Sequence, residues 1–208
     1  MCLEWGPEHD SILAMAEAVL GRAPRQFALA GHSMGGRVAF QVYRLAPERV
    51  MKLAVFNTGA DARPPGEAGE NEERGRRRLL EIARSEGMRA MALEWLKGML
   101  PAYRQSDRPL TEEIIAMFER KSPELLEIQM LALLGRPNAA PLLPNILCPA
   151  LVLTGFDDAW SPPARHLQMA QSIPLSELAV IPKCGHMSTM ERPDEVTAAM
   201  RAWLARPE

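Results

Sequence analysis

Gly31-His32-Ser33-Met34-Gly35-Gly36 sets a serine between glycines in the pattern G-x-S-x-G. On a tight turn between a strand and a helix such a serine exposes its hydroxyl, and small flanking residues let the two elements approach closely enough to make the turn. The chain's own glycine and serine frequencies yield about 0.04 such pentads by chance. Ser33 is therefore expected to be a nucleophile. A serine hydroxyl attacks poorly until a base takes its proton, and the base works best when a carboxylate orients it. Of the 4 histidines, His9 falls in an irregular N-terminal stretch, His32 lies inside the motif and His166 within an expected helix. His186, in Lys183-Cys184-Gly185-His186-Met187, directly follows an apolar run and is the expected base. The carboxylate is expected in Thr154-Gly155-Phe156-Asp157-Asp158-Ala159-Trp160-Ser161-Pro162, where one aspartate caps the turn and its neighbour faces the histidine. Trp160 is the aromatic expected to border the site. Serine, then aspartate, then histidine is the chain order that accompanies this motif.

These residues need a scaffold that brings three distant loops to one edge. Unbroken apolar runs at Phe27 to Ala30, Val50 to Phe56, Ala150 to Thr154 and Leu178 to Ile181 read as strands, and helices alternate with them. That alternation predicts an α/β fold whose parallel sheet is buried on both faces. Asp10 is expected to cap a helix over residues 10–20 that Gly21 stops, and Met34 to Leu45 reads as a second helix. About 90 residues without a strand signal separate the second and third strands. Within them, Glu70 onward is helical and charged, Thr111 is expected to cap a helix to about Lys121, and Ser122-Pro123-Glu124 starts another that ends at Gly135. Arg74, Arg76, Arg77 and Arg78 follow Glu70, Glu72 and Glu73 at helical spacing and are read as paired surface charges. Four prolines in residues 136–149 make a stiff connector, and Ser161-Pro162-Pro163 and Pro193-Asp194-Glu195 start the last two helices.

The chain has 208 residues, enough for one core with an inserted subdomain. With 24 basic and 26 acidic side chains it lacks the basic excess of a nucleic-acid binder. No apolar run approaches the roughly 18 residues of a bilayer span, and the opening seven residues lack a signal-peptide pattern. The expectation is a cytoplasmic protein that binds neither nucleic acid nor membrane. Its 3 cysteines are odd in number and far apart, which argues against a disulfide frame or a structural zinc site.

The chain from about Asp10 to its end resembles the α/β-hydrolase superfamily, in particular its small capped esterases and enol-lactonases. The residues that carry the resemblance are Ala30 to Gly36, Pro149 to Gly155 leading into Asp158 and Pro162, and Gly185-His186 followed by Glu191, Pro193 and a last helix. The resemblance implies that the acid is Asp158, the fourth residue counting from the glycine after the strand, and not Asp157. It implies a partial α/β-hydrolase fold with a mostly parallel sheet of about four strands flanked by helices. Residues 1–59 and 146–208 would form the core and residues 60–145 a helical cap. The implied chemistry is acyl transfer on a small carboxylic ester, lactone or thioester, with no metal or organic cofactor. Ser33 attacks, His186 is the base, Asp158 steadies it, the Met34 N–H donates to the oxyanion, and His32 and Trp160 border the substrate. Perhydrolases of the same superfamily use the same three residues. Activity is expected to rise with pH as the histidine loses its proton.

That family sets several strands, and a loop often carrying His-Gly, ahead of its serine, whereas 32 residues precede Ser33 here. The expectation is a sheet without its first strands and an oxyanion hole with one donor of two, a loss on the order of 10²- to 10³-fold in rate. It also includes an unpaired edge at residues 26–30 through which a second copy could form a homodimer. The alternative is a shortened, weakly active or non-catalytic protein of the same fold that binds a small ligand or partner.

Overall fold

The computed structural model describes residues 3–207. Four strands, β1 (Phe27–His32), β2 (Val50–Phe56), β3 (Ala150–Gly155) and β4 (Ser176–Ile181), form one all-parallel sheet in the order β1-β2-β3-β4. The middle strands read as continuous apolar runs because both of their faces are covered. Leu53, Val55 and Val152 join one core with Ile12, Phe40 and Met169, from helices α1 (Ile12–Arg22), α2 (Met34–Leu45) and a later helix. Ala54, Phe56, Leu151 and Leu153 join another with Val196 and Trp203. The outer strands differ. β1 pairs only with β2, and Ala28 and Ala30 are exposed.

Between β2 and β3 the chain builds α3 (Glu67–Ser85), α4 (Met88–Met99), α5 (Arg108–Glu119) and α6 (Pro123–Leu134). These helices have apolar cores of their own, one around Leu96 and Ile114 and one around Leu80 and Met130. The first of them also takes in Met187, from the loop after β4. The proline-rich return contains a 3-10 turn over Ala140–Asn145. The last helices are α7 (Pro163–Ser172), the four-residue α8 (Ser188–Glu191), which has no periodic signal in the sequence, and α9 (Pro193–Ala205). Among the described residues no helix is long and apolar enough to cross a membrane.

Two expected helix boundaries are corrected. Ser11, not Asp10, caps α1 by accepting the Ala14 N–H at 3.1 Å, and Gly21 lies inside that helix, which ends at Arg22 ahead of Ala23 and Pro24. The residue before a proline is pushed out of the helical region, so the proline and not the glycine sets the end. Asp107, not Thr111, caps α5 through the Leu110 N–H at 3.3 Å, with Pro109 in the first turn. An earlier start is favoured because proline fits where a helix needs no donor.

Candidate active site

Each strand delivers one element of the site at its carboxyl end. After β1, Ser33 adopts φ 52 and ψ −115, a left-handed backbone no ordinary serine needs, and α2 starts at the next residue. Gly31 makes the turn possible: a Cβ there would lie 2.1 Å from the Gly35 carbonyl oxygen. After β3 and β4 come Asp158 and His186, both buried. Ser33 Oγ lies 3.0 Å from His186 Nε2, and His186 Nδ1 lies 3.0 and 3.2 Å from the two Asp158 oxygens. With Nδ1–H donating to the carboxylate, Nε2 is left to accept the serine proton.

Asp158 does both tasks expected of the aspartate pair. Its Oδ1 caps the turn by accepting the Trp160 and Ser161 N–H groups at 3.0 and 2.9 Å, while it also faces His186. Asp157 instead accepts the Tyr103 hydroxyl at 2.6 Å on the surface. Burial raises the Asp158 pKa, but hydrogen bonding and charge from His186, then hydrogen bonds from Asn57 and Ser161, outweigh it and hold the carboxyl below its ordinary value.

Met34, Trp160 and His32 all line the same open cleft of about 1990 Å³ as Ser33 and His186. The Met34 N–H stands at the start of α2 with no acceptor among the described residues, where the helix dipole favours negative charge. The Trp160 ring sits 4.9 Å from that of His186. His32 is committed differently: its Nε2–H donates to the His186 carbonyl at 2.7 Å, which steadies the loop that carries His186. Burial, and then the neighbouring His186, push His32 down to about 4.

Several supporting residues have no role assigned from the sequence. Asn57, after β2 at φ 49, is fully buried; its amide donates to Asp158 Oδ2 at 2.9 Å and to the Gly185 carbonyl at 3.2 Å. Glu191 accepts N–H groups of Gly185 and Met187 at 2.9 to 3.0 Å and so clamps both sides of His186, while burial keeps its own pKa above the usual range. Thr58 donates its hydroxyl to the Ser33 carbonyl at 2.7 Å, and its N–H bonds to Nε2 of the buried His166 at 3.1 Å. The legible hints of this layer are Glu191, which belongs to the resemblance without an assigned role, and a polar Asn57-Thr58 directly after an apolar strand. His186 also donates its backbone N–H to the Met99 carbonyl at 2.9 Å, which ties its loop to α4. Among the described residues no group of three metal-ligating side chains is gathered.

A family profile described as the alpha/beta hydrolase family matches residues 3–199. A 2-hydroxy-6-oxononadienedioate/2-hydroxy-6-oxononatrienedioate hydrolase of a Pseudomonas species is 32% identical over 182 residues, covering 85% of this chain and 62% of the relative. This chain thus spans less than two thirds of the length of that relative. Among solved structures, a thermophilic esterase from Thermogutta terrifontis with malate bound aligns at TM-score 0.82 and 35% identity, covering 93% of this chain and 72% of that one. The enol-lactonase from Burkholderia xenovorans aligns at TM-score 0.82 and 25% identity, covering 98% and 75%.

Proposed function

The chain belongs to the alpha/beta hydrolase family, and on that premise we propose that it is a serine hydrolase that cleaves carboxylic esters, or lactones or thioesters, through an acyl-enzyme. The observation that carries the reading is the unbroken line from Ser33 Oγ through His186 to Asp158, with contacts of 3.0 Å at both links. His186 takes the Ser33 proton as Oγ attacks the carbonyl carbon, and Asp158 stabilises the imidazolium without being protonated itself. The Met34 N–H donates to the carbonyl oxygen as it gains charge. His186 then passes the proton to the departing alcohol, and the steps repeat with water to release the acid. Residues 60–145 act in this reading as a cap over the cleft.

A fluorophosphonate probe tests the activated serine directly. The expected result is labelling of the wild type and none of Ser33→Ala; absence of labelling in both would favour the non-catalytic alternative. The unpaired edge at residues 26–30 is proposed in addition as a pairing surface for a second copy of the chain, since bare strand edges recruit strands. Sedimentation should find a dimer that Ala28→Lys returns to monomer, and a stable wild-type monomer at high concentration would overturn it.

A further inference from the structure

Away from the serine, one wall of the cleft is built from arginines. Arg37 lies one helical turn beyond Ser33 on α2, Arg165 in the first turn of α7, Arg76 on α3, and Arg136 just after α6; all line the cleft together with Ser33 and His186. Glu72 answers two of them. It accepts from Arg136 Nη1 and Nη2 at 2.6 and 2.8 Å, and from Arg76 Nε and Nη2 at 3.1 and 3.0 Å. Burial opposes its ionisation, yet the two guanidiniums outweigh that and hold its carboxyl at about 2. The surface pairing expected for Arg76 is thus turned inward and shared, whereas Arg77 keeps its expected partner Glu73.

Arg37 and Arg165 are left over. Among the described residues neither has a carboxylate within salt-bridge distance, and Arg37 donates only to the Asp61 backbone carbonyl, from Nη1 at 2.7 Å. Their side chains nonetheless converge. A Cβ built on Gly59 would lie 3.3 Å from Arg37 Nη2 and 3.3 Å from Arg165 Nη1, so both guanidinium groups border the same glycine. Burial, then Arg136 and Arg165, push Arg37 down to about 9. Partly desolvated like charges held side by side are unfavourable without an anion between them. A carboxylate suits the site because a guanidinium meets it with two parallel donors.

We propose that Arg37 and Arg165 form a subsite for a free carboxylate of the substrate, so that the preferred substrates are half-esters of short dicarboxylic acids whose ester end reaches Ser33. The assignment rests on the serine hydrolase reading above for the ester end, but not for the anion site itself.

Two measurements separate the two. The kcat/KM for the mono-4-nitrophenyl ester of glutaric acid, divided by that for 4-nitrophenyl valerate, should be at least about 10 in the wild type and fall about tenfold or more in Arg37→Gln and in Arg165→Gln. Glutarate, which has no ester to cleave, should bind the wild type by calorimetry and weaken by about tenfold in either variant. Retained glutarate binding without any ester cleavage or probe labelling would sink the hydrolase reading and leave the subsite standing. Equal use of the charged and neutral esters, glutarate binding indifferent to both substitutions, or tighter binding of inorganic phosphate than of glutarate would overturn the subsite.

Discussion

Asp158 is held by Asn57, Trp160 and Ser161 as well as by His186, so its orientation does not depend on the histidine alone. Removing a hydrogen bond to a charged group costs about 1.5–3 kcal/mol. Asn57→Ala should therefore lower kcat roughly 10- to 100-fold, and its pH profile should shift upward at the acid end because a cause of the low Asp158 pKa is gone. A second expectation concerns His166, fully buried under the elbow and pushed down to about 4 mainly by that burial. In the unfolded chain it takes its proton near the ordinary 6.5, so between 6.5 and 4 the unfolded state binds a proton the folded state refuses. Stability contributed above that window is lost as pH falls through it, up to about 3 kcal/mol from this group. Urea midpoints measured from pH 7 to 4 should fall, and His166→Gln should flatten the fall. At this scale the positions of Ser33, His186 and Asp158 after strands are legible, because a motif or an apolar run precedes each of them, whereas the split of tasks expected between Asp157 and Asp158 is not what is found. Asn57 is not legible, and Glu191 is so only as part of the resemblance, without its role, because both act by gripping backbone and side chains that only folding brings near.

At the scale of elements, two glycines that look alike in the sequence have opposite roles. A Cβ on Gly31 would strike backbone of Gly35, which no rotamer relieves. Gly31→Ala should cost about 3 kcal/mol or more and abolish activity together with cooperative unfolding. Gly21 sits in the last turn of α1, and a methyl group there would meet nothing within 4 Å. Gly21→Ala should stabilise by about 0.5–1 kcal/mol, read as a higher thermal midpoint. Strands and most helices are legible because both sheet faces are covered and caps such as Ser122 are unambiguous. The starts of α1 and α5 are not, since Asp10 and Ser11, or Asp107 and Thr111, are equally good caps until neighbouring backbone decides. The arginine wall escapes the sequence pattern for a related reason: helical spacing reports partners on one helix and is blind to Arg136, which takes Glu72 from another segment.

For the whole molecule, the sheet has two edges, and Ser33 hangs on one of them. β2 and β3 have two neighbours, whereas β1, which leads directly into Ser33, has one. Strands bonded on a single side open locally at lower free energy than central ones. Amide hydrogen exchange should accordingly be faster in residues 27–32 than in 50–56 or 150–155, and on slow heating activity should vanish at a temperature where far-ultraviolet circular dichroism is still native. Ser33 then behaves as a part that detaches first, and any binding event that protects β1 from exchange would raise the working temperature without adding a single contact to the Ser33 hydroxyl.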